Sequence, residues 1–72
     1  MRITLHHGYN VDFLDDMEQV QEKIDNTLKR NLGNYCTSYK QIFNHTHDNI
    51  TTIVYQYNTL YTETFVIIKE NW

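Results

Sequence analysis

Phe13-Leu14-Asp15-Asp16-Met17-Glu18-Gln19-Val20-Gln21-Glu22-Lys23-Ile24-Asp25-Asn26-Thr27-Leu28 is the stretch on which the fold turns. Phe13, Met17, Val20, Ile24 and Leu28 are spaced 4, 3, 4 and 4, the repeat that lines one face of a helix with apolar groups. Asp12 stands where an N-cap carboxylate would accept free backbone N–H groups, and Asp15 three residues on makes an acidic variant of the capping box. Lys29 and Arg30 suit the negative end of the helix dipole, and Gly33, with Asn34 behind it, supplies a left-handed stop. The pattern predicts a helix over residues 12–32.

Outward from that helix the periodicity changes. Residues 2–6 alternate polar and apolar, as a short strand with Ile3 and Leu5 facing inward would. His7-Gly8-Tyr9-Asn10 has the make-up of a turn. After the helix, Tyr35, Thr37, Tyr39, Gln41 and Phe43 fall on one face of a second strand, and Asn44-His45-Thr46-His47-Asp48-Asn49 form a polar turn. Residues 50–57 and 61–69 are rich in β-branched and aromatic types and are joined near Asn58-Thr59 as a hairpin. The expected fold is α+β in the order β-α-β-β-β, one amphipathic helix packed on a four-stranded, mainly antiparallel sheet, with residues 1–72 forming a single domain. Several tyrosines and threonines would occupy the uncovered sheet face.

Composition narrows the function. The 72 residues contain no proline and one cysteine, which excludes a disulfide scaffold and a cysteine-based zinc site. The longest apolar run, Phe65-Val66-Ile67-Ile68, is far short of the roughly 20 residues of a membrane span. Residues 1–7 do not lead into the apolar core of a signal peptide, so the expected location is cytoplasmic. The formal charge is −3, and the six basic residues are scattered apart from Lys29-Arg30. Direct binding to nucleic acid and to membranes is therefore disfavoured. At this size a second copy would add needed burial, and monomer and homodimer both stay open.

Chemistry-bearing patterns are sparse. No nucleophile elbow, phosphate loop or dinucleotide fingerprint occurs, and Cys36 reads as a packing residue. His45, His47 and Asp48 are weak candidates for a metal site, and His6-His7 chelate poorly because neighbours in a strand point to opposite faces. No closed ligand set is visible, so the expectation is no metal, no cofactor and no enzymatic activity. Asn44-His45-Thr46 and Asn49-Ile50-Thr51 match a glycosylation acceptor, without weight in a chain lacking a secretion signal.

The helix surface is more informative. Asp15, Glu18, Glu22 and Asp25 are spaced 3, 4 and 3, and Asp12 and Asp16 extend that row at its N-terminal end. Like charges at this spacing repel by about 0.2–0.5 kcal/mol per pair, offset a little by Asp25–Lys29 and Gln19–Lys23. Such a row either keeps a small domain in solution or fits a positively charged groove, its carboxylates standing in for phosphates. Tyrosine and asparagine side chains beside it would then supply short-range contacts.

The short, proline-free, Tyr/Asn/Thr-rich chain, with its carboxylates between Asp12 and Asp25 and its hairpin over residues 50–69, resembles the early host-takeover proteins of lytic phages of low-GC Gram-positive bacteria. The resemblance implies a small inhibitor acting in the host cytoplasm. Some members of that group imitate DNA to block HU-type nucleoid proteins, and others act on RNA polymerase or a protease chaperone. The expected function is a non-enzymatic inhibitor whose Asp12, Asp15, Asp16, Glu18, Glu22 and Asp25 occupy the basic site of a host nucleic-acid-binding protein. The alternatives are an interaction or dimerisation module acting through a sheet edge, residues 35–43 or 61–69, and a domain binding metal through His45, His47 and Asp48.

Overall fold

β1 (Arg2–His7) turns at Gly8-Tyr9 and returns antiparallel as β2 (Asn10–Leu14), with His7 opposite Asn10 and Ile3 opposite Leu14. The computed structural model describes residues 2–32, 38–58 and 62–71. After β2 come α1 (Met17–Leu32), β3 (Ser38–His47), β4 (Ile50–Asn58) and β5 (Thr62–Glu70). The five strands form one antiparallel sheet in the order β2-β1-β5-β4-β3. One helix packs on this sheet, giving an α+β fold.

Two boundaries differ from the sequence expectation. The helix begins at Met17 rather than Asp12, because residues 10–14 satisfy their backbone groups by pairing with β1 and make a fifth strand. Asp12 is therefore a strand residue and not the N-cap, and Phe13 leaves the apolar stripe to stand 71% exposed on β2. The cap lies four residues later: Asp16 Oδ1 accepts the Gln19 N–H at 2.9 Å, while Gln19 Oε1 accepts the Asp15 N–H at 2.8 Å. That is a reciprocal capping arrangement reaching one residue further back than the usual box. In the second half, β3 runs on to His47, so residues 44–47 are strand and the turn is only Asp48-Asn49. Asp48 takes a φ of 54° and Gly8 one of 61°, each at the first position of its two-residue loop. Gly33, Asn34, Tyr35, Cys36, Thr37, Thr59 and Tyr61 lie outside the described residues.

The core joins three strands to the helix. Val20, Ile24 and Leu28 of α1 meet Ile3 and Leu5 of β1, Ile53 and Tyr57 of β4, and Phe65 and Ile67 of β5, with Met17 and Leu14 at its margin. Burying side chains of this size stabilises the fold by about 1.5–3 kcal/mol each. β5 is the middle strand of the five and not an available edge, which removes residues 61–69 from the edge-pairing alternative. The free edges are β2 and β3, and every residue of β3 is exposed.

Residues opposite one another in the register share a face. Ile3, Leu5, Ile53, Tyr57, Phe65 and Ile67 point to the helix. Among the described residues no helix lies over the other face. One of its rows reads Phe13, Thr4, Ile68, Thr52 and His45 from β2 to β3, and the adjacent row Val11, His6, Val66, Val54 and Phe43. These two rows thus combine four aliphatic residues and two phenylalanines with Thr4, Thr52, His6 and His45, whereas Tyr39, Tyr55 and Tyr57 lie on the helix side. Of the tyrosines and threonines expected on the open face, the threonines Thr4 and Thr52 are there, while the described tyrosines of β3 and β4 lie on the helix side.

Candidate protein-docking surface

At 100° per residue, Glu18, Glu22 and Asp25 fall within about 60° of arc on α1, with Lys29 closing that sector at the C-terminal end. All three carboxylates are exposed, as are Asp15 and Asp16 in the loop leading into the helix. Lys23 and Arg30 lie on the other flank. Lys23 Nζ is 3.6 Å from Asp12 Oδ1, which sets the basic flank over β2. The acidic flank consequently overhangs β4 and β3, where Gln21 Nε2 donates to Asp25 Oδ1 at 3.0 Å.

Beneath that flank the sheet supplies an aromatic cluster. Tyr39 of β3 stacks on Tyr57 of β4 with centroids 5.2 Å apart, and meets Tyr55 edge-on at 6.4 Å. Tyr57 in turn meets Phe65 edge-on at 5.4 Å, anchoring the cluster to the core. Burial pushes the Tyr57 hydroxyl above its ordinary value of 10.0; the Gln21 side chain pulls the other way, and the Tyr39, Asp25 and Tyr55 charges add to the rise. Tyr57 is therefore a buried, protonated phenol within the electrostatic reach of the Asp25 carboxylate. Tyr39 is 64% exposed, which leaves part of its ring open to solvent.

Of the six acids expected in one row, Glu18, Glu22 and Asp25 lie on α1, while Asp15 and Asp16 precede it and Asp16 is engaged in capping it. Asp12 is drawn onto β2 and partly neutralised by Lys23. The expected Asp25–Lys29 and Gln19–Lys23 pairings are replaced by Gln21–Asp25, the Gln19 cap and Lys23–Asp12. The tyrosine cluster was not foreseen. Its signal was the period-2 pairing of Tyr55 with Tyr57, which marks one face of a strand.

Behind the basic flank lies a cavity of about 280 Å³ between α1 and the first hairpin, walled in part by His7, Asp12, Lys23, Arg30 and Phe65. His7 stacks on Phe65 at 4.4 Å and its Nε2 lies 2.5 Å from Glu63 Oε2. Of the charged groups at this cavity, Lys23 joins α1 to Asp12 of the first hairpin, and His7 joins β1 to Glu63 of β5.

The histidine clusters do not meet. Ile50, opposite His47, is also opposite Glu70, which pairs with Arg2 at the start of β1, whereas His6 and His7 end that strand. His47 Nε2 lies 3.4 Å from Asp48 Oδ2, both well exposed, and His45 leans on Phe43 at 6.1 Å. Among the described residues no three His, Cys, Asp or Glu side chains gather as a metal site. Nor is any described helix long and apolar enough to cross a membrane. Comparison with protein-family models, with curated proteins and with solved structures finds no match to this chain.

Proposed function

We propose that this protein is a non-enzymatic binding module that inhibits a basic, nucleic-acid-binding protein by occupying its phosphate-binding groove. Asp15, Asp16, Glu18, Glu22 and Asp25 act as phosphate surrogates, and Tyr39 and Tyr55 supply contacts beside them. The observation that carries this reading is the segregation of charge on α1. The exposed acids Glu18, Glu22 and Asp25 share one flank, with Lys29 at its C-terminal end, beside an aromatic cluster, while Lys23 and Arg30 are on the other. Regularly spaced anions steer a cationic partner over long range, and tyrosine is favoured where such encounters become tight contacts.

The test is capture from a bacterial lysate by the tagged protein, repeated with Glu18→Lys and Glu22→Lys together. The expected partner is basic, its capture falls about tenfold or more with the double reversal, and added salt weakens the wild-type complex. A partner that is not basic, or binding indifferent to both salt and reversal, overturns the proposal.

A further inference from the structure

We infer that the uncovered face of the sheet is the contact between two copies of this chain, packed sheet against sheet. The face is five strands wide, and its apolar part is about five residues deep. At about 4.8 Å per strand and 3.4 Å per residue that is roughly 400 Å² in projection for each copy. Two copies therefore cover about 800 Å² before the relief of the side chains is counted, and relief brings the accessible surface removed towards the roughly 1,200 Å² where stable interfaces begin.

Charge and symmetry point to a second copy as the occupant. The two middle rows carry no carboxylate, ammonium or guanidinium; the charged residues of this face, Arg2, Glu70 and Lys40, lie towards its ends. The centre is Val66, Ile68 and Val54 with Thr4, Thr52 and His6 beside them, a surface without carboxylates and so no complement to a cationic partner. Phe13 is 71% exposed and Phe43 49%, one on each edge strand. Because β5 is the middle strand, a two-fold axis running along it lays β2 of one copy over β3 of its partner. The outer phenylalanines then cover the partner's opposite margin, and the whole apolar width is matched. Aligned sheets about 10 Å apart are a standard packing.

This contact uses the side of the sheet opposite α1, so it stands independently of the acidic-flank proposal. The experiment is size-exclusion chromatography with light scattering at about 10–100 μM, in low and in high salt. The expected mass is twice the 8.7 kDa of one chain, unchanged by salt. Phe13→Lys with Phe43→Lys should reduce it to one chain mass, weakening association about a hundredfold or more while far-UV circular dichroism stays native. Glu18→Lys with Glu22→Lys should leave the mass doubled, which separates this result from the fate of the docking proposal. Should the paired lysine variant not fold, Phe43→Ser at the rim gives the same reading. A single-chain mass for the wild type across that range overturns the inference. So does a doubled mass that survives the phenylalanine substitutions, since that species pairs elsewhere, as through the edge of β3.

Discussion

Lys23 Nζ on α1 lies 3.6 Å from Asp12 Oδ1 on β2, a bond between helix and hairpin that also takes one acid out of the helix row. The pair ties the basic flank of α1 to the sheet and leaves the acidic flank facing the other way. The separation of charge on this small surface thus depends on where a strand residue sits.

Both partners of that pair are partly exposed, so its contribution to stability is small. Asp12→Asn is expected to cost less than about 1 kcal/mol in urea unfolding. It should leave capture of a cationic partner unchanged, in contrast to Glu22→Lys. Loss of capture with Asp12→Asn would restore Asp12 to the docking row.

Asp16 is the residue that starts the helix. Asp16→Ala is expected to lower unfolding free energy by about 0.5–2 kcal/mol, and Asp16→Asn by much less, since asparagine caps nearly as well. Equal effects of the two changes would mean that the carboxylate acts through charge and not as a cap.

Phe13 and Phe65 test the reassigned boundary directly. Phe65 is fully buried between His7 and Tyr57, and Phe65→Ala is expected to cost about 3–5 kcal/mol, enough to unfold most domains of this size. Phe13→Ala, measured at dilution where single chains prevail, is expected to change stability by about 0.5 kcal/mol or less. A large loss at Phe13 would return it to the helix stripe.

Tyr57 carries the pH prediction. Its hydroxyl holds its proton more firmly when folded than when unfolded, so the folded chain binds more protons in the interval between the two values. Stability is therefore fully present below 10.0 and declines as pH rises through the folded value. Ultraviolet titration should show one tyrosine ionising after the exposed ones, and Tyr57→Phe should remove that late step and flatten the alkaline decline.

The helix was legible from Met17 onward because Met17, Val20, Ile24 and Leu28 repeat at the helical period and all four meet the core. Phe13 misled because its spacing to Met17 also fits that period. The competing signal was the Asn10–Leu14 run beyond a glycine turn, where Val11 and Phe13 alternate with polar neighbours as a half-exposed strand does. β3 was cut short for a related reason. Asn44, His45 and His47 have low strand propensity, yet an edge exposed on both sides favours polar side chains. The unbroken run Phe65-Val66-Ile67-Ile68 marked a strand with apolar groups on both faces, but its middle position was missed and residues 61–69 were offered as an edge, because pairing order is not written in a single strand's pattern. Of the acidic row, the helical members followed from spacing alone. Asp12 could not, because its place depends on pairing across a turn.

The bulge between Gln41 and Phe43 has a consequence for self-assembly of another kind. β3 is an edge strand whose ten residues are all exposed, the sort of ledge on which amyloid-like ribbons nucleate. The extra residue throws the two halves of that ledge out of step, four paired positions before it and five after. A flat incoming segment can match one half only, like a zip with a misaligned tooth, and ribbon growth stalls after a few rungs. One inserted residue thus interrupts the regularity of this edge, a feature edge strands commonly carry against edge-to-edge pairing.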